Sequence, residues 1–216
     1  LIDVIKNSSD LTAKNLKSLK SIFFCGEALL KSQFKNIFKA KKNIRIINAY
    51  GPTEATVSCT QKEVQYKDLS NNKFHSIPIG TPIPGMKIRL LDNNKFSKKK
   101  GEIIIYGNQI AQGYLDKKDN KNKFFFSTKH KPYYKTGDYA FVFNNEIYFK
   151  SRVDNQIKIN GHRIELDEIS SSLTRYGIKK VHTIAFDKII VALFTDNKKF
   201  NKKSIDIYLK KNIPKY

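Results

Sequence analysis

Residues 47–57 read INAYGPTEATV and set Tyr50, Thr53 and Glu54 close together between two apolar runs. A tyrosine ring offers a flat face, a threonine a hydroxyl donor, and a glutamate a hard oxygen ligand. The plainer reading is a turn with a helix cap, for which Gly, Pro and Thr are ordinary choices. Other Gly-centred segments follow or flank apolar runs in the same way: CGE at 25–27, GEIIIYGNQIAQGYL at 101–115, YKTGD at 134–138 and SRVDNQIKINGHRIEL at 151–166. The sequence has no G-x-S-x-G, H-E-x-x-H, G-x-x-x-x-G-K-[ST] or G-x-G-x-x-G, and its four His residues are isolated. Hydrolase and metalloenzyme readings therefore have little support.

These segments sit where strands are expected to end. SIFFCG is a continuous apolar run closed by Gly, and NIRIIN at 43–48 is a second; both read as buried strands. Between them, residues 27–40 place Ala28, Leu29, Phe34, Ile37 and Phe38 near helical spacing. Residues 9–20 carry leucines behind Ser and Asp caps and predict a short helix. Strand, helix, strand with short connections is a βαβ unit with a parallel pair, and ligands of such sheets gather at the C-terminal strand ends. CGE and NAYGPTE would then share one rim.

From residue 87 the pattern changes. KIRLLD, GEIIIYG, YYKTGD and NEIYFKS are strand-like and separated by polar loops, which predicts a β-rich subdomain over 87–153 beside an α/β part that runs to about 86. Beyond it, NQIKING signals a hairpin, ELDEISSSLTRYG a helix closed by Gly177, VHTIAF and IIVALFT strands, and KKSIDIYLKK a last helix. The expected fold is thus α/β plus α+β, with a partial parallel-sheet domain at 1–153 and a small α+β domain at 154–216.

Composition bounds the function. The 15 Phe and 11 Tyr exclude a disordered chain. Net charge is +22, yet only five of the 41 basic residues are Arg, and Lys is dispersed with Asn in NKFSKKK, KKDNKNK and DNKKFNKK. That dispersal, expected in loops, argues against a nucleic-acid surface, which would favour clustered Arg. Cys25 and Cys59 form no metal or disulfide spacing and read as reduced, buried thiols. No leader and no run of 18 apolar residues is present, so the expectation is a cytoplasmic protein without membrane insertion.

In this order and at these separations the Gly-centred segments resemble the core motifs of the adenylate-forming enzyme superfamily. CGEAL and the Pro of YGPTE are similar to the amino-acid-activating branch, which includes the adenylation domains of nonribosomal peptide synthetases. The Cys before Gly-Glu is most similar to the D-alanine:carrier-protein ligases. The resemblance spans nearly the whole chain. It implies ATP- and Mg2+-dependent activation of a small amino acid, D-alanine favoured, as an aminoacyl-adenylate, and then transfer to the phosphopantetheine thiol of a carrier protein. A fatty- or aryl-acid:CoA ligase of the same superfamily and a basic non-enzymatic binding module remain as alternatives.

Residue by residue, the resemblance implies an ATP/AMP site of Asn48, Ala49, Tyr50, Gly51, Pro52, Thr53, Asp138 and Arg152. Within it Tyr50 would stack on adenine, Thr53 bond a phosphate oxygen, and Asp138 accept from the ribose hydroxyls. Glu54 would hold magnesium and, with Thr53, act in catalysis. Phe23, Cys25, Gly26, Ala49, Val57 and Ser58 would line the amino-acid pocket, whose mostly small residues suit alanine. Asp154 would be the hinge about which the C-terminal domain turns, with Lys158 and Gly161 serving the thioester-forming state. At Ser151 this chain departs from the family, which has Gly there. The family's phosphate loop and its C-terminal catalytic Lys have no counterpart among these residues, and the chain opens LIDVIKNSSD without Met. It is therefore expected to be a piece of a longer protein and to adenylate poorly alone.

Overall fold

The computed structural model describes residues 14–69, 74–126, 132–159, 162–186, 189–195 and 200–214. The chain forms two compact units, Leu1–Val153 and Asp154–Tyr216. In the first, β1 (Ser21–Phe24) pairs in parallel with β2 (Arg45–Tyr50), with Phe23 opposite Ile47. Helix α1 (Lys31–Ala40) buries Phe34 and Ile37 against Ile44 and Ile46, so the helical stripe and the strand face close one core.

α1 starts four residues later than its spacing predicts. Leu29 is buried, its carbonyl accepts from the Ile77 N–H, and Leu30 bridges Ser76. That extended pairing satisfies the backbone before the helix begins, and Gln33 Oε1 then accepts the Leu30 N–H at 3.0 Å. Of the helix expected over 9–20, residues 9–13 lie outside the described residues, and 14–18 form turns.

Among the described residues, parallel pairing is confined to β1–β2. After β2 the chain reverses and returns as β3 (Thr60–Glu63), antiparallel to β2 with Tyr50 opposite Thr60; β4 (Thr81–Pro82) follows antiparallel to β3. A connection this short permits only an antiparallel neighbour. TQKE carries no apolar alternation, and β3 was not anticipated from sequence.

The β-rich part is a sheet of order β10-β9-β7-β5-β6, formed by β5 (Met86–Asp92), β6 (Lys95–Ser97), β7 (Lys100–Gly107), β9 (Tyr133–Phe143) and β10 (Glu146–Arg152), with β8 (Phe124–Phe125) on β9. The lysines of NKFSKKK are therefore partly in strands rather than in a loop. β9 runs past the expected end at Asp138: Tyr139 and Ala140 continue the alternation of half-buried and buried residues, and Phe141–Phe143 stay paired with β10. Ile103, Ile105, Tyr134 and Ala140 pack with Tyr50, Ala55 and Cys59 in one core, which joins this sheet to the end of β2. Lys62 adds ion pairs to Asp68, at 3.2 Å, and to Glu146.

The second unit contains the hairpin β11 (Gln156–Ile159) and β12 (His162–Glu165), helix α2 (Leu166–Arg175), the hairpin β13 (Val181–Phe186) and β14 (Ile189–Phe194), and helix α3 (Lys202–Asn212). α2 buries Leu166 and Leu173, and the Tyr176 and Tyr208 rings meet at 4.9 Å. Among the described residues no helix is long and apolar enough to cross a membrane.

Candidate active site

The segment after β2 is a tight loop rather than a simple corner. Gly51 and Pro52 are buried, and Thr53–Ala55 makes one 3-10 turn. Thr56 and Val57 then take φ of 53° and 67°, left-handed values unusual for β-branched residues. The loop closes where the Cys59 N–H meets the Tyr50 carbonyl at 2.8 Å. A Cβ on Gly51 would lie 2.7 Å from Ser58 Cα and 2.9 Å from both Cys59 N and the Val57 carbonyl oxygen, so glycine permits the backbone to pass there. Strain held in such a loop is characteristic of functional sites.

At its root, residues distant in sequence converge on one carboxylate. Tyr50 Oη donates to Asp138 Oδ2 at 2.6 Å, and Arg152 Nη1 donates to Asp138 Oδ1 at 2.6 Å. Arg152 Nη2 also reaches the Thr136 carbonyl at 3.1 Å. Strand register dictates the pair, because Arg152 on β10 lies directly opposite Asp138 on β9. Both side chains are buried, at 10% and 5% exposure, and a buried pair of this kind is intact only while both partners are present. Burial, and then the Asp138 charge and hydrogen bond, push the Tyr50 phenol well above its usual acidity range, so it stays a donor. Tyr50 is 9% exposed, and its hydroxyl is engaged by Asp138.

Glu54, 6% exposed, makes the second cluster. Tyr114 Oη donates to its Oε1, and Tyr134 Oη lies 3.2 Å from Tyr114 Oη. The Glu54 carbonyl accepts from the Ala111 N–H at 2.8 Å, and Thr56 Oγ1 donates to the Gln109 carbonyl at 2.9 Å. The 107–115 segment is thereby laced to the 51–59 loop. Thr53 is exposed at the loop surface.

Among the described residues there is no group of three or more His, Cys, Asp or Glu able to hold a metal by itself. A magnesium ion takes one or two carboxylates and completes its shell with substrate phosphates and water. Glu54 beside the Thr53 hydroxyl suits such a shared site. Asp138 has further acceptor capacity beyond its two donors, as a carboxylate offers about four lone-pair positions; ribose hydroxyls fit that capacity.

Of the other expected residues, Phe23 is 52% and Val57 66% exposed, so neither is core. Cys25 Sγ donates to the Val57 carbonyl at 3.2 Å and ties the end of β1 to the loop. Cys25 is half-buried, which corrects the expectation of two buried thiols; Cys59 alone is fully buried, with its thiol pushed up to about 12 by burial first. Gly26 and Ser58 are half-buried nearby, while Ala49 is 3% exposed. Asn48 is buried and donates to the Pro78 carbonyl at 2.9 Å, which makes it a brace within the sheet. Ser151 is exposed and pairs with Tyr139. In the second unit Asp154 is exposed, with Oδ1 accepting from the Gln156 N–H at 3.3 Å, and Lys158 is exposed on β11. Gly161 lies outside the described residues.

Thr136, Tyr114 and Tyr134 lie within the Gly-centred segments but are not distinguished there as functional residues. Thr136 Oγ1 donates to the Ile103 carbonyl at 2.9 Å and accepts the Asp138 N–H at 3.0 Å. The available signal was Tyr and Thr within YYKTGD and GYL, which by type alone is indistinguishable from strand packing.

The chain belongs to the AMP-binding enzyme family: residues 1–115 match the pattern described as "AMP-binding enzyme". The D-alanine–D-alanyl carrier protein ligase of Bacillus licheniformis is 39% identical over 163 residues, which are 74% of this chain and 32% of the relative. That of Listeria monocytogenes serotype 4a is 30% identical over 230 residues, 99% of this chain and 45% of the relative. The Vibrio cholerae adenylation domain AlmE, solved with glycyl-adenosine-5'-phosphate, superposes with a TM-score of 0.81 at 25% identity, over 96% of this chain and 41% of that one. The chain thus spans less than half the length of these relatives.

Proposed function

We propose that the whole protein activates a small amino acid, D-alanine by preference, with ATP and Mg2+, and passes it to the phosphopantetheine thiol of a carrier protein. The observation that carries this reading is the shared Asp138 carboxylate, fixed by Tyr50 and Arg152 a short way from the Glu54 loop. Such a seat suits a ribose, and the loop beside it suits the phosphates and their cation. The preference for D-alanine is supported by the ligase relatives and by the small side chains of Cys25, Ala49 and Ser58.

In the first half-reaction the amino-acid carboxylate oxygen bonds to the α-phosphorus, the bond to the bridging oxygen breaks, and pyrophosphate leaves. Thr53 bonds a phosphate oxygen, Glu54 holds the cation, and Asp138 fixes the ribose, so the two anions are brought together in line. Magnesium, when bound, neutralises charge on the phosphates. In the second half-reaction the carrier thiol gives up its proton, its sulfur bonds to the acyl carbon, and AMP leaves. Asp154 serves as hinge for that change, with Lys158 and Gly161 on the path of the pantetheine arm. A cytoplasmic location accords with the free thiols of Cys25 and Cys59.

The test is ATP–pyrophosphate exchange by the full-length protein with small amino acids of both chiralities. D-alanine should drive exchange best, and Glu54→Ala should abolish it. If no small amino acid in either chirality drives exchange, the reading is wrong; exchange with an aryl or fatty acid and turnover with CoA would replace it by acyl-CoA formation.

A further inference from the structure

Strands β5, β7 and β9 form a sheet with two faces, and the candidate active site uses one of them. Leu90, Ile103, Ile105 and Tyr134 belong to the core that reaches Tyr50. Side chains alternate along a strand, so Lys87, Arg89, Ile104, Tyr106, Tyr133 and Lys135 stand on the reverse face, where they line a groove of about 880 Å³. Register sets them in two rows. Arg89 is opposite Ile104, and Ile104 is opposite Lys135; Lys87 is opposite Tyr106, and Tyr106 is opposite Tyr133, with Phe125 beyond it. Ile104, 1% exposed, makes an apolar floor between the two cations of its row.

The rings of the groove are already engaged face to face. Phe125 and Tyr133 lie 5° from parallel with ring centres 4.5 Å apart, and Tyr106 meets Tyr133 at 5.2 Å. From the β5 side the Arg89 guanidinium carbon lies 5.8 Å from the Tyr106 ring centre and 4.8 Å from that of Phe96. With faces so occupied, the rings turn their edges, the positive end of the quadrupole, to the groove. Lys135 is paired with Glu102 at 3.4 Å, while Lys87 and Arg89 meet no carboxylate among the described residues. Three cations against one carboxylate leave two positive charges.

We infer that this groove is a second ligand site, separate from the candidate active site, and that it takes an organic phosphate. A phosphate monoester carries about two negative charges at neutral pH and three strong acceptor oxygens, which match Lys87 and Arg89 better than the single charge of a carboxylate does. The guanidinium is held over Phe96, so less freedom is lost when its fork meets the phosphate. Ile104 and Leu91 supply apolar surface for the carbon body. A single-stranded nucleic acid suits the groove less, since its bases would need open ring faces on which to stack. The inference does not depend on the adenylation reading.

The test is fluorine NMR on the full-length protein labelled with fluorotyrosine, with the Tyr106 and Tyr133 signals assigned from Tyr106→Phe and Tyr133→Phe. These signals report the groove locally, whatever the active site binds. AMP, hexyl phosphate and inorganic phosphate are titrated separately. Saturable movement of both signals with hexyl phosphate and AMP, each tighter than inorganic phosphate, is the expected result; movement with AMP alone would narrow the ligand to a nucleotide. Arg89→Gln should weaken the response by about tenfold or more, as for a lost hydrogen bond to a charged group, with pyrophosphate exchange unchanged. Lys87→Gln carries the comparison if Arg89→Gln does not fold. Signals that ignore both organic phosphates, equal affinity for inorganic phosphate, or a response to a single-stranded oligonucleotide alone would overturn the inference and leave the adenylation reading untouched. Absence of pyrophosphate exchange would sink that reading without moving these signals.

Discussion

Asp138 combines two demands that usually conflict, a buried charge and a ligand-binding surface. Tyr50 and Arg152 satisfy the first, leaving acceptor capacity for the second. Asp138→Ala would deprive the Arg152 guanidinium, which is 10% exposed, of its carboxylate partner, so we expect a loss of about 3–5 kcal/mol in stability, read by urea denaturation. Nucleotide affinity should fall with it. A loss under about 1 kcal/mol would mean that Arg152 finds water or another partner and that the pair is looser than its geometry indicates. At this scale the sequence could nominate Asp138, through the Tyr-x-Thr-Gly frame, but not its partners. Strand register alone sets Arg152 opposite it, and Thr136 becomes legible only once its hydroxyl is seen between the Ile103 carbonyl and the Asp138 N–H.

Among the elements, the 51–59 loop is the one on which the site depends. It reverses the chain between β2 and β3, and its backbone passes Gly51 at a distance that leaves no room for a methyl group. Gly51→Ala should force that backbone apart, at a cost of about 1–3 kcal/mol, and should reduce pyrophosphate exchange in the full-length protein more than the stability loss explains. An unchanged urea midpoint would show that the loop can open freely. The helices were easier to read. α2 ends as its Gly177 predicts: with φ of 106° that residue donates to the Thr174 carbonyl, and Ile178 donates to that of Leu173. α1 was misplaced at its start because the pairing of Leu29 and Leu30 with residues 76–77 is invisible in local spacing.

For the whole molecule, three buried protons set the alkaline limit. The Cys59 thiol ionises near 9 in an unfolded chain and near 12 in the fold. Across that interval the folded state keeps a proton that the unfolded state has lost, so stability falls as pH rises, by about 1.4 kcal/mol per pH unit for one group. Tyr50 and Tyr134, both raised from 10, act in the same sense. The contribution is full below about pH 9 and is lost as pH climbs through 12. We therefore expect a urea midpoint that is flat to about pH 9 and declines beyond it, less steeply in Cys59→Ala; equal midpoints at about pH 8 and pH 10.5 would contradict this.

What the sequence determined by itself was the order of local signals: apolar runs that must be strands, a stripe that must be a helix, and Gly-centred segments whose succession marks the family. These depend on near neighbours, and periodicity and turn chemistry report near neighbours well. The tertiary structure alone decided that Tyr50 and Arg152 share the Asp138 carboxylate, that Glu54 is held by phenols, that the sheet turns antiparallel after β2, and that Cys25 is half-buried where Cys59 is sealed. Each depends on contacts beyond the near neighbours, from the Tyr50–Thr60 pairing to the Tyr50–Asp138 bond; these are set by strand register and by which surfaces fill one core, and a linear pattern carries no record of either.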